Sequence, residues 1–245
     1  MYLTEVKTSD IIGKQFRYKF KSYIGVFSSL VIIQLLGLLF SLSGSRFSSS
    51  SAVGYQVDVQ YYTVDIVMIF TIFWGFMSAM LLTTKAYRED DFAFITNRFS
   101  SNLSTIAFLA VISLIGSLTA VLSGFLLKVV VYLVESEPLL SLNRGGIAST
   151  YSLEILGAFV VVFLFATLGY AAGMIIQLHR LFIVVLPAIF LGGSVWVATF
   201  DVPIDLFHFY FQEANFLLFL LKMVGTAGVL CAVAMLIANR LEVKR

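Results

Sequence analysis

The chain has 245 residues, 60% of them hydrophobic and only 12% charged, with a formal net charge of +2 and a mean hydropathy of +0.97. Soluble domains carry about 25% charged residues, so a water-soluble globule is excluded: it could not hide this much apolar surface. A transmembrane β-barrel is excluded too, because the apolar residues come in runs near the roughly 20 that cross a bilayer as a helix, not in alternating segments of about 10. The composition therefore predicts an all-α polytopic membrane protein. The one cysteine, Cys231, lies in an apolar run, so no intrachain disulfide can form and the redox compartment is not legible. No cleavable signal peptide is expected, since the first apolar run begins near Ile24 behind a long charged stretch.

In chain order, residues 1–23 form an N-terminal segment, 24–238 a six-helix transmembrane domain and 239–245 a tail. Within the first, Ile12, Phe16, Phe20 and Tyr23 recur at helical spacing while Lys14, Arg17 and Lys21 fall on another face. That pattern predicts a helix lying in the interface, its aromatics in the acyl boundary and its cations near anionic headgroups. Ser9 or Asp10 would cap it; the plainer alternative is a basic flank with no further role. Six spans follow, over 24–42, 64–84, 103–127, 152–178, 181–200 and 216–238. Apolar residues continue past Lys128 through Val134, so the third helix is tilted or protrudes. Only His179 and Arg180 separate the fourth and fifth spans, which forces a tight turn.

The connections differ in character. Residues 43–52 are Ser-rich with Gly44 and read as a flexible solvated linker. Residues 135–150, with Pro138, Gly145 and Gly146, read as a loop. Residues 201–215 mix Asp201, Asp205, His208 and Glu213 with Phe207, Phe209, Tyr210 and Phe211 and hold no Lys or Arg, which suggests an interfacial or re-entrant segment. Orientation follows from the basic residues. With both termini in the cytoplasm, twelve Lys and Arg fall on the cytoplasmic side, three outside, and Lys222 within a span.

The cytoplasmic loop after the second span, KAYREDDFAFITNRFSSN, places Glu89, Asp90 and Asp91 before Phe92, Phe94, Ile95, Arg98 and Phe99. Acidic residues suit the first turn of a helix, so a short amphipathic element is expected there, its exposed aromatics needing a partner surface. Small residues recur at packing distance in three spans: Gly116, Ala120 and Gly124; Ala166, Gly169 and Gly173; Gly228 and Ala232. They let helix backbones approach closely.

No catalytic motif stands out. GxSxG, HExxH and Cys/His ligand clusters are missing, and the two histidines, His179 and His208, fall on opposite sides of the membrane. The P-loop pattern is missing too, because Gly13–Lys14 is followed by Gln15. No enzymatic activity, bound cofactor, metal or nucleic-acid partner is expected of this chain. Lys222, an ionisable residue inside a span, is either a snorkelling or structural residue, paired with Asp65 or Glu154, or part of a pathway or gate.

The layout resembles the permease subunit of type-2 bacterial ABC exporters: an interfacial N-terminal helix, six spans, a cytoplasmic loop after the second, a very short turn after the fourth and a semi-embedded segment before the sixth. The stretch YREDDFAFITNRFSSNLS is similar to the part of those permeases that docks into the ATPase; Ser100, Ser101 and Asn102 stand where family members commonly carry Pro. The resemblance implies a dimer with a second permease copy or a homologous permease in the cell membrane. It also implies a separate cytoplasmic ATPase that binds ATP and magnesium and pushes on Glu89–Phe99, and a hydrophobic or amphipathic cargo such as a peptide, an antibiotic or a lipid. The alternatives are an ion-coupled carrier, which would show more intramembrane carboxylates, a substrate-binding membrane subunit of a vitamin uptake system, and a membrane-embedded enzyme.

Overall fold

The computed structural model describes residues 8–43, 46–52, 55–61, 63–84, 87, 98–135, 147–179, 181–199, 209–210, 213 and 215–240. Seven helices are formed by these residues: α1 (Thr8–Ser22), α2 (Ile24–Ser41), α3 (Asp65–Leu82), α4 (Arg98–Glu135), α5 (Ile147–Leu178), α6 (Phe182–Thr199) and α7 (Phe216–Arg240). Five of them, α2, α3, α4, α5 and α7, are long and apolar enough to cross a bilayer. The helix α6, 18 residues with Pro187 inside, occupies the place of the remaining span. The protein is thus an all-α polytopic membrane protein of about six crossings. Consecutive spans alternate in direction, which gives the bundle two ends, one carrying α1 and the other the α2–α3 connection.

That connection corrects the sequence reading. Residues 46–52 are not a flexible linker but strand β1 (Arg46–Ala52), paired antiparallel with β2 (Tyr55–Tyr61) in a two-stranded hairpin, Arg46 opposite Tyr61 and Ala52 opposite Tyr55. The serines masked the strand because they carry little hydrophobic signal, whereas their partner strand, YQVDVQY, alternates with the two-residue period of a strand.

The interior is mixed, with Phe108, Leu109, Ile112 and Tyr170 buried beside polar residues. Large apolar residues such as Ile32, Leu39, Ile69, Val184 and Leu221 are exposed around the outside, while Thr71, Ser104, Ser113, Ser117 and Thr167 are fully buried. Outward apolar surface is stable against lipid, and inside the bundle small and hydroxylated residues pack beside the buried apolar ones. Several of these hydroxyls satisfy themselves within their own helix, as Thr71 does on the Val67 carbonyl (2.8 Å) and Thr167 on that of Leu164 (2.8 Å).

Helix α5 is the hub: it packs on α3 along the most extensive seam, and also on α4, α6 and α7. Glycine sets the α3–α5 distance. A Cβ on Gly169 would overlap the Phe76 carbonyl oxygen and lie 2.9 Å and 3.0 Å from the carbonyl carbon and Cα of Phe76. On Gly173, one turn on, it would overlap the Thr83 hydroxyl. The Gly116–Gly124 stripe of α4 likewise meets Thr71, Trp74 and Val64 of the α3 region. The third small-residue pair is different. Gly228 meets nothing within 4 Å, and Ala232 is exposed, so that face of α7 points away from the bundle.

Both long helices exceed the membrane. At 1.5 Å per residue, the 38 residues of α4 run about 57 Å and the 32 of α5 about 48 Å, against a hydrocarbon core of about 30 Å. The third span therefore reaches beyond 103–127 at both ends, into Arg98–Asn102 on the α1 side and on to Glu135 at the other.

Candidate functional site

At the α1 end, α1 packs along the first turns of α4. Helix α1 passes into α2 through one residue, Tyr23 (φ −101°, ψ 33°), whose amide still bonds the Lys19 carbonyl at 2.9 Å. The expected aromatic stripe divides between the acyl boundary and the bundle, Tyr23 turning into the protein. Gln15, Lys19 and Tyr23, spaced by four, are buried, whereas Ile12 and Phe16 are half-buried and Phe20 and Arg17 exposed. The Phe16 ring packs tilted against Phe20, and Phe20 against Phe27 (5.3 Å between ring centroids). The amphipathic helix exists, but its best-buried face belongs to the protein, and Phe20, Lys14, Arg17 and Lys21 are left outward.

Lys19 is the residue that the spacing argument passed over. Only 2% exposed, its ammonium donates to the Thr105 hydroxyl (2.5 Å) and the Ser101 carbonyl (3.2 Å) on α4. A buried cation persists only when such acceptors replace its hydration. Beside it, the Tyr170 hydroxyl of α5 donates to Asn102 Oδ1 (3.0 Å), and the Gln177 amide donates to the Thr83 carbonyl at the end of α3. Thus Ser101, Asn102 and Thr105 at the start of α4 are held from two sides, by α1 and by α5.

The connection between α3 and α4 enters and leaves at this cluster. Tyr87 packs edge-on against Tyr23 (4.8 Å, 80°), which in turn packs against Phe108 (5.9 Å). At the other end Arg98 opens α4 and Phe99 is exposed. The candidate docking residues Glu89, Asp90, Asp91, Phe92 and Phe94 lie outside the described residues. What is described is the frame that holds both ends of their loop.

Mid-bundle, one polar side chain links three helices. The Gln34 amide of α2 donates to the Thr71 hydroxyl of α3 (3.2 Å) and to the Gly116 carbonyl of α4 (3.0 Å). The absence of a side chain on Gly116 leaves its carbonyl within reach. Nearby, the Trp74 indole donates to the Ser29 hydroxyl (2.9 Å).

At the hairpin end, Lys222 pairs with neither Asp65 nor Glu154. It forms an ion pair with Glu213, donates to the Phe209 carbonyl (3.1 Å) and sits 4.0 Å from the centroid of the Phe209 ring. Asp65 instead accepts from the Thr63 hydroxyl (3.0 Å), and Glu154 is exposed. The reason is local. The residues preceding α7 fold back over its second turn, so an acid nine positions upstream reaches the ammonium without crossing the bundle. Lys222 keeps about a quarter of its side chain exposed, which combines snorkelling with a structural pair.

At the turn between α5 and α6, His179 is exposed and its carbonyl and Nδ1 accept from the amides of Phe182 and Leu181 (3.0 and 3.2 Å); it caps a turn. Cys231 is buried within α7. Among the described residues no three His, Cys, Asp or Glu side chains gather as metal ligands would. The polar chemistry on view consists of hydroxyls, amides and two lysines held by oxygen acceptors, a set suited to joining helices. Compared with known protein families, curated proteins and solved structures, the chain matches none.

Proposed function

We propose that this chain is the membrane subunit of an ATP-driven exporter, which carries a hydrophobic or amphipathic cargo across the cell membrane and is powered by a separate ATPase. The observation that carries the reading is the frame around the α3–α4 connection. Its entry rests on Tyr23 through Tyr87, and its exit is the start of α4, clamped by Lys19 on Thr105 and by Tyr170 on Asn102. A connection whose entry rests on an aromatic contact and whose exit is held by buried hydrogen bonds can pass a push into α4 and α5 instead of absorbing it. The excess of Lys and Arg at the α1 end supports a cytoplasmic position for that loop and both termini, where an ATPase would meet Glu89–Phe99. A second permease copy, or a homologous permease, would complete the path.

The test is co-purification from the native host in mild detergent. We expect an ABC ATPase to accompany the chain, with ATP hydrolysis stimulated by cargo. Replacing Phe92 and Phe94 by Ala should leave folding intact and abolish that stimulation. A chain that purifies alone, with no ATPase partner, contradicts the proposal.

A further inference from the structure

The hairpin β1–β2 is a two-stranded sheet among the described residues, β2 pairing only with β1. A lone two-stranded hairpin is marginal in water; three or more strands are needed for independent stability. Strand β1, RFSSSSA, makes it weaker still, since the residues that favour strands are β-branched or aromatic. An open strand edge is also a template for another strand. The question is which strand fits.

The order of residues in β2 answers it. Tyr55-Gln56-Val57-Asp58-Val59-Gln60-Tyr61 reads the same in both directions about Asp58. We propose that β2 is a self-pairing edge, through which two copies of this chain join antiparallel about a two-fold axis at Asp58. In that register Tyr55 faces Tyr61 of the second copy, Gln56 faces Gln60 and Val57 faces Val59. All seven residues pair with their own kind and none overhangs. Aromatic and β-branched cross-strand pairs each stabilise a sheet, and a shift of one residue removes every match. Strand β1 has no such symmetry, which singles out β2. The product is a four-stranded sheet in the order β1-β2-β2-β1. This self-complementary contact is what a two-fold interface requires.

The one unfavourable pair is Asp58 with itself on the axis, because like charges directly opposite repel. Removing that charge should tighten the dimer. This inference concerns the hairpin alone and does not rest on the exporter reading.

Cysteine cross-linking in native membranes tests it, in a chain whose Cys231 is replaced by Ala. Residues facing each other across an antiparallel pair have Cα atoms about 4.5 or 5.5 Å apart, both within the roughly 4.4–6.8 Å that a disulfide spans. Asp58→Cys should therefore form a disulfide-linked dimer under mild oxidation. Gln56→Cys alone should not, since its own counterpart lies four residues, or about 13 Å, further along the strand. Co-expressed Gln56→Cys and Gln60→Cys chains should link to each other. Separately, Asp58→Asn should strengthen self-association by up to about fivefold. A monomeric Asp58→Cys chain, one linked only to a different protein, or equal cross-linking of Asp58→Cys and Gln56→Cys would overturn the proposal.

Discussion

Replacing Gly169 by Ala adds one methyl group where α5 meets the backbone of α3. The new carbon would overlap the Phe76 carbonyl oxygen and sit 2.9 Å and 3.0 Å from its carbon and Cα. All three are backbone atoms, so no side chain can swing aside. Ordinary contact distances require α3 and α5 to part by about 0.5–1 Å, and packing is lost along the whole seam. Overpacking of this kind costs about 1–3 kcal/mol. Alanine's better helix propensity, up to about 1 kcal/mol, offsets little, because a membrane-inserted helix stays helical whether packed or not. With about 2–4 °C of Tm per kcal/mol for a chain of this size, we expect a fall of roughly 3–10 °C, measured by thermal challenge of the detergent-solubilised protein and size-exclusion chromatography. The matched control is Gly228→Ala, whose Cβ meets nothing within 4 Å and which should leave Tm unchanged within about 2 °C. If the two variants behave alike, the assignment of Gly169 to the α3–α5 contact is refuted.

Four further expectations follow from the same contacts. Gly173→Ala should destabilise by about 1–2 kcal/mol, and adding Thr83→Ala should restore much of the loss, because here the obstacle is a side chain. Lys19→Glu should cost about 3 kcal/mol or more, or prevent accumulation, by placing a carboxylate against the Thr105 hydroxyl and Ser101 carbonyl; Lys21→Glu, exposed on the same helix, should change stability by less than about 0.5 kcal/mol. A double-mutant cycle of Gln34→Leu and Thr71→Val should return a coupling of about 0.6–1.7 kcal/mol, the range of interhelical hydrogen bonds in membranes; a coupling of zero would mean that the pair is not formed. For Lys222→Met and Glu213→Gln the corresponding coupling should stay below about 1 kcal/mol and shrink with added salt, as for a partly exposed ion pair.

Long apolar runs made the spans legible. The expected second span, 64–84, is observed as Asp65–Leu82, and the last, 216–238, as Phe216–Arg240. Hydropathy was blind to helix that continues in polar residues, which is why Arg98–Asn102 at the start of α4 was not included. The hairpin was missed because serine carries no burial signal, although the alternation in Tyr55–Tyr61 was there to be read. Small-residue spacing identified real contacts at Gly116, Gly124, Gly169 and Gly173 but could not tell which face of α7 meets the bundle, so Gly228 and Ala232 carried the same pattern without a partner helix. In α1 the aromatic stripe outshone Gln15 and Lys19. Only the position of α4 makes a lysine an inward residue, and no periodicity of hydrophobicity can report that. The partner of Lys222 depended on a fold-back before α7, and a list of nearby acids on neighbouring helices could not contain it.

Helices that cross a bilayer in alternating directions set the α1 end and the hairpin end on opposite faces. Single cysteines at Thr84 and at Ser49, in a chain lacking Cys231, test it with a membrane-impermeant maleimide. We expect Ser49→Cys to label in intact cells and Thr84→Cys only after the membrane is opened. Labelling of both positions in intact cells, or of neither until the membrane is opened, would contradict it.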